Sequence, residues 1–438
     1  MRIRPVLLAG WGIAGLLGYC AAPAAAAPTR TEAAVIHAVE TQGDAPEVLL
    51  EKLVNVNSGT FNRPGVEEVG KLLEAEFRSL GFQIRRVPMD AVSRASHLVA
   101  ERAGKHGKRV LLIGHMDTVF EPASGFLQFQ RHGDTATGPG SVDDKGGVVV
   151  MLTALRALKL AGQLEGSAIT AYLTADEEHP GDPVATTRAD FIEAGKRADA
   201  TLCFEAGVTI AGQDYASTAR RGATSWTLTA TGRAAHSGGI FSDSVGDGAI
   251  FELSRILSRF HDELREPNLT YSAGLALGGA NLRIDPGGAG SASGKGNIVP
   301  SEARAIGDIR ALTPEQLARV KERMVAIVAA NLPGTTAQLT FYDEYPPMAP
   351  TPANAALMQR YSDASEAIGH GPIKTLDPLL RGAGDSAFVS PYVATITGLG
   401  AKGEGSHTSG ETVNLKSLPI QAERAAVLIY RLTHERAH

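Results

Sequence analysis

His115 and Asp117 come directly after the apolar run R-V-L-L-I-G at residues 109–114. In an extended chain, residues two apart point the same way, so both side chains face one side of a strand end. Histidine is the commonest metal ligand, and a nearby carboxylate can fix its tautomer. A second stretch, T-G-P-G-S-V-D-D-K-G-G at 137–147, sets Asp143 and Asp144 among glycines that let a backbone bend closely around a ligand. A third, A-D-E-E-H at 175–179, places Asp176, Glu177 and Glu178 in a row after another apolar run. Three adjacent acids there are costly unless solvated, paired or metal-bound. Glu205 lies in L-C-F-E-A-G and His407 in G-S-H-T-S-G-E.

Taken singly, each stretch has a plainer reading: a polar turn, a helix cap, a solvated loop, a loop histidine. Taken together they supply what a two-metal site requires. Such a site needs two histidines and three carboxylates, one of them bridging ions ~3.5–4 Å apart. It also needs a free carboxylate to accept a proton from water. Imidazole and carboxylate ligands without a thiolate suit zinc, with cobalt or manganese as alternatives.

These side chains need a scaffold that brings strand ends together. Residues 109–114 and 168–174 read as buried strands. Residues 33–56, 66–80 and 146–160 have helical spacing, with Gly81 as a stop after the second. Strands alternating with helices predict an α/β fold: a mixed, mostly parallel sheet with helices on both faces. In such sheets ligands bind at the carboxyl ends of the strands. The texture changes near Arg220. Residues 225–231 and 303–309 alternate like strands, and 247–264 and 314–330 look helical. This predicts an inserted α+β strand-helix-strand-helix domain at 218–332, splitting a catalytic domain into 28–217 and 333–438. The Gly- and Ser-rich stretch 278–296 reads as a mobile loop.

The formal net charge is −5, with no run of Lys and Arg, which argues against nucleic acid as a partner. Arg2 and Arg4, an apolar run at 6–17 and an Ala-rich stretch at 21–27 predict a secretory signal peptide over 1–26, cut near Ala26. The apolar run is short for a membrane anchor, which needs ~20 residues. Cys20 suggests lipidation, but bulky Tyr19 before it speaks against that. A secreted or periplasmic protein without a membrane span follows. Cys203, left alone after cleavage, has no internal partner for a disulfide.

L-L-I-G-H-M-D-T-V-F, G-P-G-S-V-D-D-K-G-G, T-A-D-E-E, F-E-A-G and S-H-T-S-G-E follow one another over nearly the whole chain. In these motifs the sequence resembles the M20 family of metallopeptidases, in the group of glutamate carboxypeptidases of the carboxypeptidase G2 type. The resemblance implies two Zn2+ ions per subunit, held by His115, Asp143, Glu178, Glu205 and His407. Asp143 falls at the bridging position, two residues before the Lys of D-x-K-G, with Asp144 beside it. Asp117 is implied to orient His115, and Glu177 to act as general base. The inserted segment is implied to be a lid that joins a homodimer. It carries His236 in R-A-A-H-S-G-G, Asn297 in G-N-I-V-P and Arg310 in G-D-I-R as substrate contacts. Two departures stand out: the long stretch before Asn297, which leaves Asn281 as an alternative, and His179-Pro180 after the acid pair.

The expected activity is metal-assisted hydrolysis of an amide bond, with a small peptide or N-acyl amino acid as substrate. Removal of a C-terminal residue and removal of an acyl group share this metal site, so the ligands do not separate them. A binding module without chemistry is disfavoured, because every ligand position and Glu177 are present.

Overall fold

The structure is a computed structural model that describes residues 27–285 and 288–435. The expected signal peptide over 1–26, with Cys20, lies outside the described residues. Among the described residues, no helix is long and apolar enough to cross a membrane.

The central sheet has six strands, in the order Gln83–Val87, His97–Arg102, Ser167–Thr174, His106–His115, Ala200–Cys203, Thr395–Thr397. The last four in this order are parallel, and the first two are antiparallel additions at one edge. Alternation explains why helices cover both faces. Val110 and Leu112 enter the main core, while Leu111 and Ile113 enter a second cluster with Tyr172, Phe191 and Val389. The main core is built by helices Arg30–Glu40, Lys145–Leu160 and Ser417–Thr433. Helix Lys145–Leu160 is buried almost all round, as its run of apolar residues predicts.

A second layer has its own core. Strands Thr270–Gly279, Glu302–Arg310, Ala223–Thr231 and Thr336–Tyr345 form an antiparallel sheet in that order. Helices Ala249–Glu263 and Pro314–Ala329 pack against it around Trp226, Ile256, Phe260 and Met324.

Three expectations from the sequence are corrected. The helical run 33–56 is two helices, Arg30–Glu40 and Ala45–Val54, interrupted where Gly43 takes a φ of 53°. The stretch 278–296 is not a plain loop: Asn281–Ile284 and Gly290–Ser293 pair as an antiparallel hairpin. The antiparallel layer does not end at 332, because Thr336–Tyr345 is bonded to Ala223–Thr231. The chain leaves this layer only after Tyr345.

Candidate metal centre

Parallel strands bring their carboxyl ends to one edge, and the chemistry-bearing residues collect there. His115 is the last residue of strand His106–His115. Its Nδ1 lies 3.0 Å from the Asp117 carbonyl oxygen and 3.4 Å from the Asp117 carboxylate. Asp117 is fully buried. Its carboxylate accepts hydrogen bonds from the Thr60 hydroxyl at 2.6 Å and from the backbone N–H groups of Glu177 and Glu178 at 3.0 and 3.1 Å. Asp117 therefore fixes both the histidine ring and the main chain of the acid pair.

Asp143 stands between the two histidines. Its Oδ1 is 3.2 Å from His115 Nε2, and its Oδ2 is 3.3 Å from His407 Nε2. His407 Nε2 also lies 3.1 Å from Glu178 Oε2. Two sets of ligand atoms come within 4.8 Å of one another: His115 with Glu177 and Glu178, and Asp143 with Glu178 and His407. Asp144, beside Asp143, is turned inward, with Oδ2 accepting from the His115 N–H at 3.3 Å. Gly147 is required at this point, since a Cβ there would collide with the Phe204 carbonyl and the Asp144 carboxylate.

The donor set fits a cation. With its Nδ1 proton given to Asp117, His115 presents the Nε2 lone pair to an Asp143 carboxylate oxygen. Two acceptors face each other stably only if a proton or metal ion lies between them. Glu178 Oε1 is buried without a hydrogen-bond partner. Burial alone pushes the His115 pKa down, yet Asp117 and Asp143 carry it well above its ordinary value. Hydrogen bonds to Asp143 and Glu178 push His407 up to about 11. The pocket calls for positive charge at the positions where zinc ligands are expected. Burial, with the Glu205 charge, raises the Glu177 carboxyl well above the usual carboxylate range. Burial raises Glu178 to about 7.

Glu205 follows strand Ala200–Cys203 and reaches the same edge, but it joins neither of the two ligand groups. Its carboxylate pairs with Arg220 and lies 3.4 Å from Arg381. The expected lid residues lie apart from the ligands. His236 and Asn297 sit side by side on the antiparallel layer, where the Ser237 N–H donates to the Asn297 carbonyl, and both are exposed. His236 Nδ1 accepts from the Gly238 N–H at 3.1 Å, which leaves the proton of a neutral ring on Nε2. Arg310 donates to Asp308 at 2.8 Å. With Arg221 and Arg381 it lines a cavity of about 350 Å3 where the two layers meet.

Glu411, Arg188, Asp385 and Tyr345, all near the site, were not singled out from the sequence. Glu411 is buried, and its carboxylate accepts from the N–H groups of Gly140, Val142 and Asp143 at 3.1, 2.8 and 3.0 Å. It thereby clamps the Asp143 loop to the His407 loop. Its only signal in the sequence was an acid four residues after a histidine in a Gly-rich loop. Asp176, the first of the three acids, pairs with fully buried Arg188, which also holds Asp385. His179, noted in the sequence as a departure, packs against Phe61 in a tilted contact, with ring centroids 4.9 Å apart. At the far end of the antiparallel layer, the Tyr345 hydroxyl donates to the Glu177 carbonyl.

Comparison with known proteins gives the family and the fold. Residues 111–431 match peptidase family M20/M25/M40. The chain is 29% identical over 394 residues to carboxypeptidase G2 of Pseudomonas sp. (strain RS-16), covering 87% of this chain and 88% of that one. It is 26% identical over 273 residues to succinyl-diaminopimelate desuccinylase of Novosphingobium aromaticivorans, covering 60% of this chain and 68% of that one. Among solved structures, aminopeptidase PepT from Bacillus cereus superposes with a TM-score of 0.69 at 19% identity, over 91% of this chain and 98% of that one. The M20 family metallo-carboxypeptidase Sso-CP2 from Sulfolobus solfataricus superposes with a TM-score of 0.66 at 14% identity, over 89% and 99%.

Proposed function

The chain belongs to peptidase family M20/M25/M40 and is a hydrolase; from that premise we propose that it is an exported di-zinc carboxypeptidase that hydrolyses the amide bond to a C-terminal amino acid, in the manner of a glutamate carboxypeptidase. His115, Asp143, Glu178, Glu205 and His407 would hold the two ions. When bound, the ions polarise the scissile carbonyl and make water a better nucleophile. Glu177 takes the proton of the attacking water and returns it to the leaving nitrogen, a role suited to a carboxyl whose pKa is raised. Asp117 keeps His115 and the Glu177–Glu178 main chain in register. His236, with its Nε2 proton available, donates to the developing oxyanion once the antiparallel layer closes over the substrate. Asn297 contacts the substrate beside it. The antiparallel layer also joins two subunits as a homodimer.

The observation that carries the substrate side is the cavity shared by Arg221, Arg310 and Arg381. Planar guanidinium groups from both layers converge there, which suits a carboxylate on the leaving residue. The desuccinylase relative supports a second reading, removal of an acyl group from an N-acyl amino acid, since that product also carries a carboxylate.

The test is a panel of dipeptides, N-acyl amino acids and C-terminally amidated analogues, incubated with zinc-loaded protein and analysed by mass spectrometry. Free C-terminal amino acids should appear, and amidated analogues should react poorly. Chelation should abolish turnover, and zinc should restore it. Full activity in a rigorously metal-free sample would refute the metal mechanism. Equal rates on amidated substrates would refute the role given to the arginine cavity.

A further inference from the structure

Arg220 sits where the chain first crosses from the central layer to the antiparallel one. Its backbone is tied to the return crossing: its N–H donates to the Met348 carbonyl at 3.0 Å, and its carbonyl accepts from the Met348 N–H at 2.9 Å. Its side chain is buried, with the residue 5% exposed. Nη1 donates to the Glu205 carboxylate, Nε to the Gly382 carbonyl at 2.7 Å, and Nη2 to the Ala383 carbonyl. Gly382 and Ala383 follow Arg381 in the loop that walls the arginine cavity. Gly384 completes the packing. A Cβ there would collide with Arg220 Nη1 and come within 2.7 Å of Glu205 Oε1.

We infer that Arg220 is a positioning residue: one guanidinium sets both the Glu205 carboxylate and the wall of the substrate-carboxylate cavity, and registers both against the crossing between the two layers. The inference rests on the two-zinc reading above and adds to it a residue that touches neither metal nor substrate. A planar fork constrains direction at each of its nitrogens. The Glu205 carboxylate and two carbonyls are therefore held at fixed angles to each other. Lysine offers the charge but not that geometry. Arg381 remains beside Glu205 in any Arg220 variant, so the carboxylate is not left without a cation.

The two functions of the guanidinium separate in variants. Arg220→Met removes both, whereas Arg220→Lys keeps a cation beside Glu205 and frees the Gly382–Ala383 carbonyls. Gly384→Ala keeps both side chains and wedges a methyl group between them. Zinc affinity, read by competition with a chromophoric chelator, and kcat and KM on a carboxylate-bearing substrate are measured for each. Residues that orient ligands from behind typically contribute ~10–100-fold in metal affinity. Arg220→Met and Gly384→Ala should weaken one of two zinc ions by about that factor and leave the other unchanged. Arg220→Lys should keep both ions and raise KM more than it lowers kcat. If Arg220→Met does not fold, the other two variants carry the test. The inference is overturned if Gly384→Ala and Arg220→Met bind two zinc ions as the parent does, or if Arg220→Lys leaves KM unchanged. A parent protein that binds fewer than two ions would overturn the two-zinc reading itself.

Discussion

Replacing Arg188 with methionine should destabilise the central layer severely, and the reason is the carboxylates it leaves behind. Arg188 is fully buried. Nη1 lies 2.6 Å from Asp176 and Nε 2.8 Å from Asp385, while Nη2 reaches the Asp176 carbonyl at 3.2 Å. The two aspartates have one other donor each: the Gly181 N–H for Asp176 and the Thr174 hydroxyl for Asp385. Methionine fills similar space, so the cost comes from orphaned charge rather than from a cavity. Breaking a buried pair in this way costs about 3–5 kcal/mol. At about 2–4 °C per kcal/mol for a large domain, the melting temperature should fall by roughly 6–20 °C. Circular-dichroism melts at pH 7.5 read the effect. The decisive comparison is the triple variant Asp176→Asn, Arg188→Met, Asp385→Asn. Removing the charges with the cation should recover at least half of the loss. A triple variant no more stable than the single one, or a single variant that melts with the parent, would refute the orphaned-charge reasoning.

Glu177→Gln should keep its zinc content and lose ~10²–10⁴-fold in kcat, and loss of metal on elemental analysis would merge its role with that of Glu178. His236→Ala should lower kcat by ~10²–10³-fold with zinc unchanged. If His236 acts across a dimer, mixing it with Glu177→Gln under subunit exchange should restore part of the activity; a fully active monomer in sedimentation would refute the dimer. Burial raises the Glu32 carboxyl, but Arg431 and Thr29 outweigh it and hold the pKa below its ordinary value. Its pairing with Arg431, at 2.6 Å, joins the first and last helices. A lowered folded pKa gives stability above the unfolded pKa that is lost as pH falls through the folded one. Glu32→Gln should therefore melt below the parent at pH 7 and converge with it at acidic pH, and a constant gap across the titration would contradict this.

The residues that could be read from the sequence share one property: each sits where a regular pattern stops. His115, Glu177, Glu178 and Glu205 follow apolar strands, and Asp143 and His407 lie among glycines, so local sequence marked them. The strands at 109–114, 168–174, 225–231 and 303–309 and the helices at 66–80, 146–160, 247–264 and 314–330 were legible for the same reason, while the edge strands Gln83–Val87, Thr270–Gly279 and Thr395–Thr397 were not read. What was not legible depends on distant pairing. Arg188 meets Asp385 across 197 positions, and Arg381 meets Glu205 across 176, with nothing in either neighbourhood to announce it. Glu205 was expected among the ligands, and only the structure shows it gripped by two arginines. The hairpin at 281–293 was read as a loop because glycine, serine and alanine have weak strand preference, and its pairing is mostly main chain. The boundary at 332 stopped at a helix end. The strand that follows, T-A-Q-L-T-F-Y-D-E-Y, alternates and belongs with the layer before it.

The order of the chain also dictates when the enzyme can exist during its own synthesis. His115, Asp143 and the acid pair emerge first, but His407 and Glu411 follow roughly 300 residues after His115. At typical rates of translation that is a delay of about 15–60 s. The last helix, Ser417–Thr433, is almost wholly buried against Lys145–Leu160 and Arg30–Glu40, so the first helices have no finished core to join until it arrives. A nascent chain thus carries most of its reactive groups without a completed centre. A chain cut short before Ser417–Thr433 lacks the surface that buries Lys145–Leu160 and Arg30–Glu40.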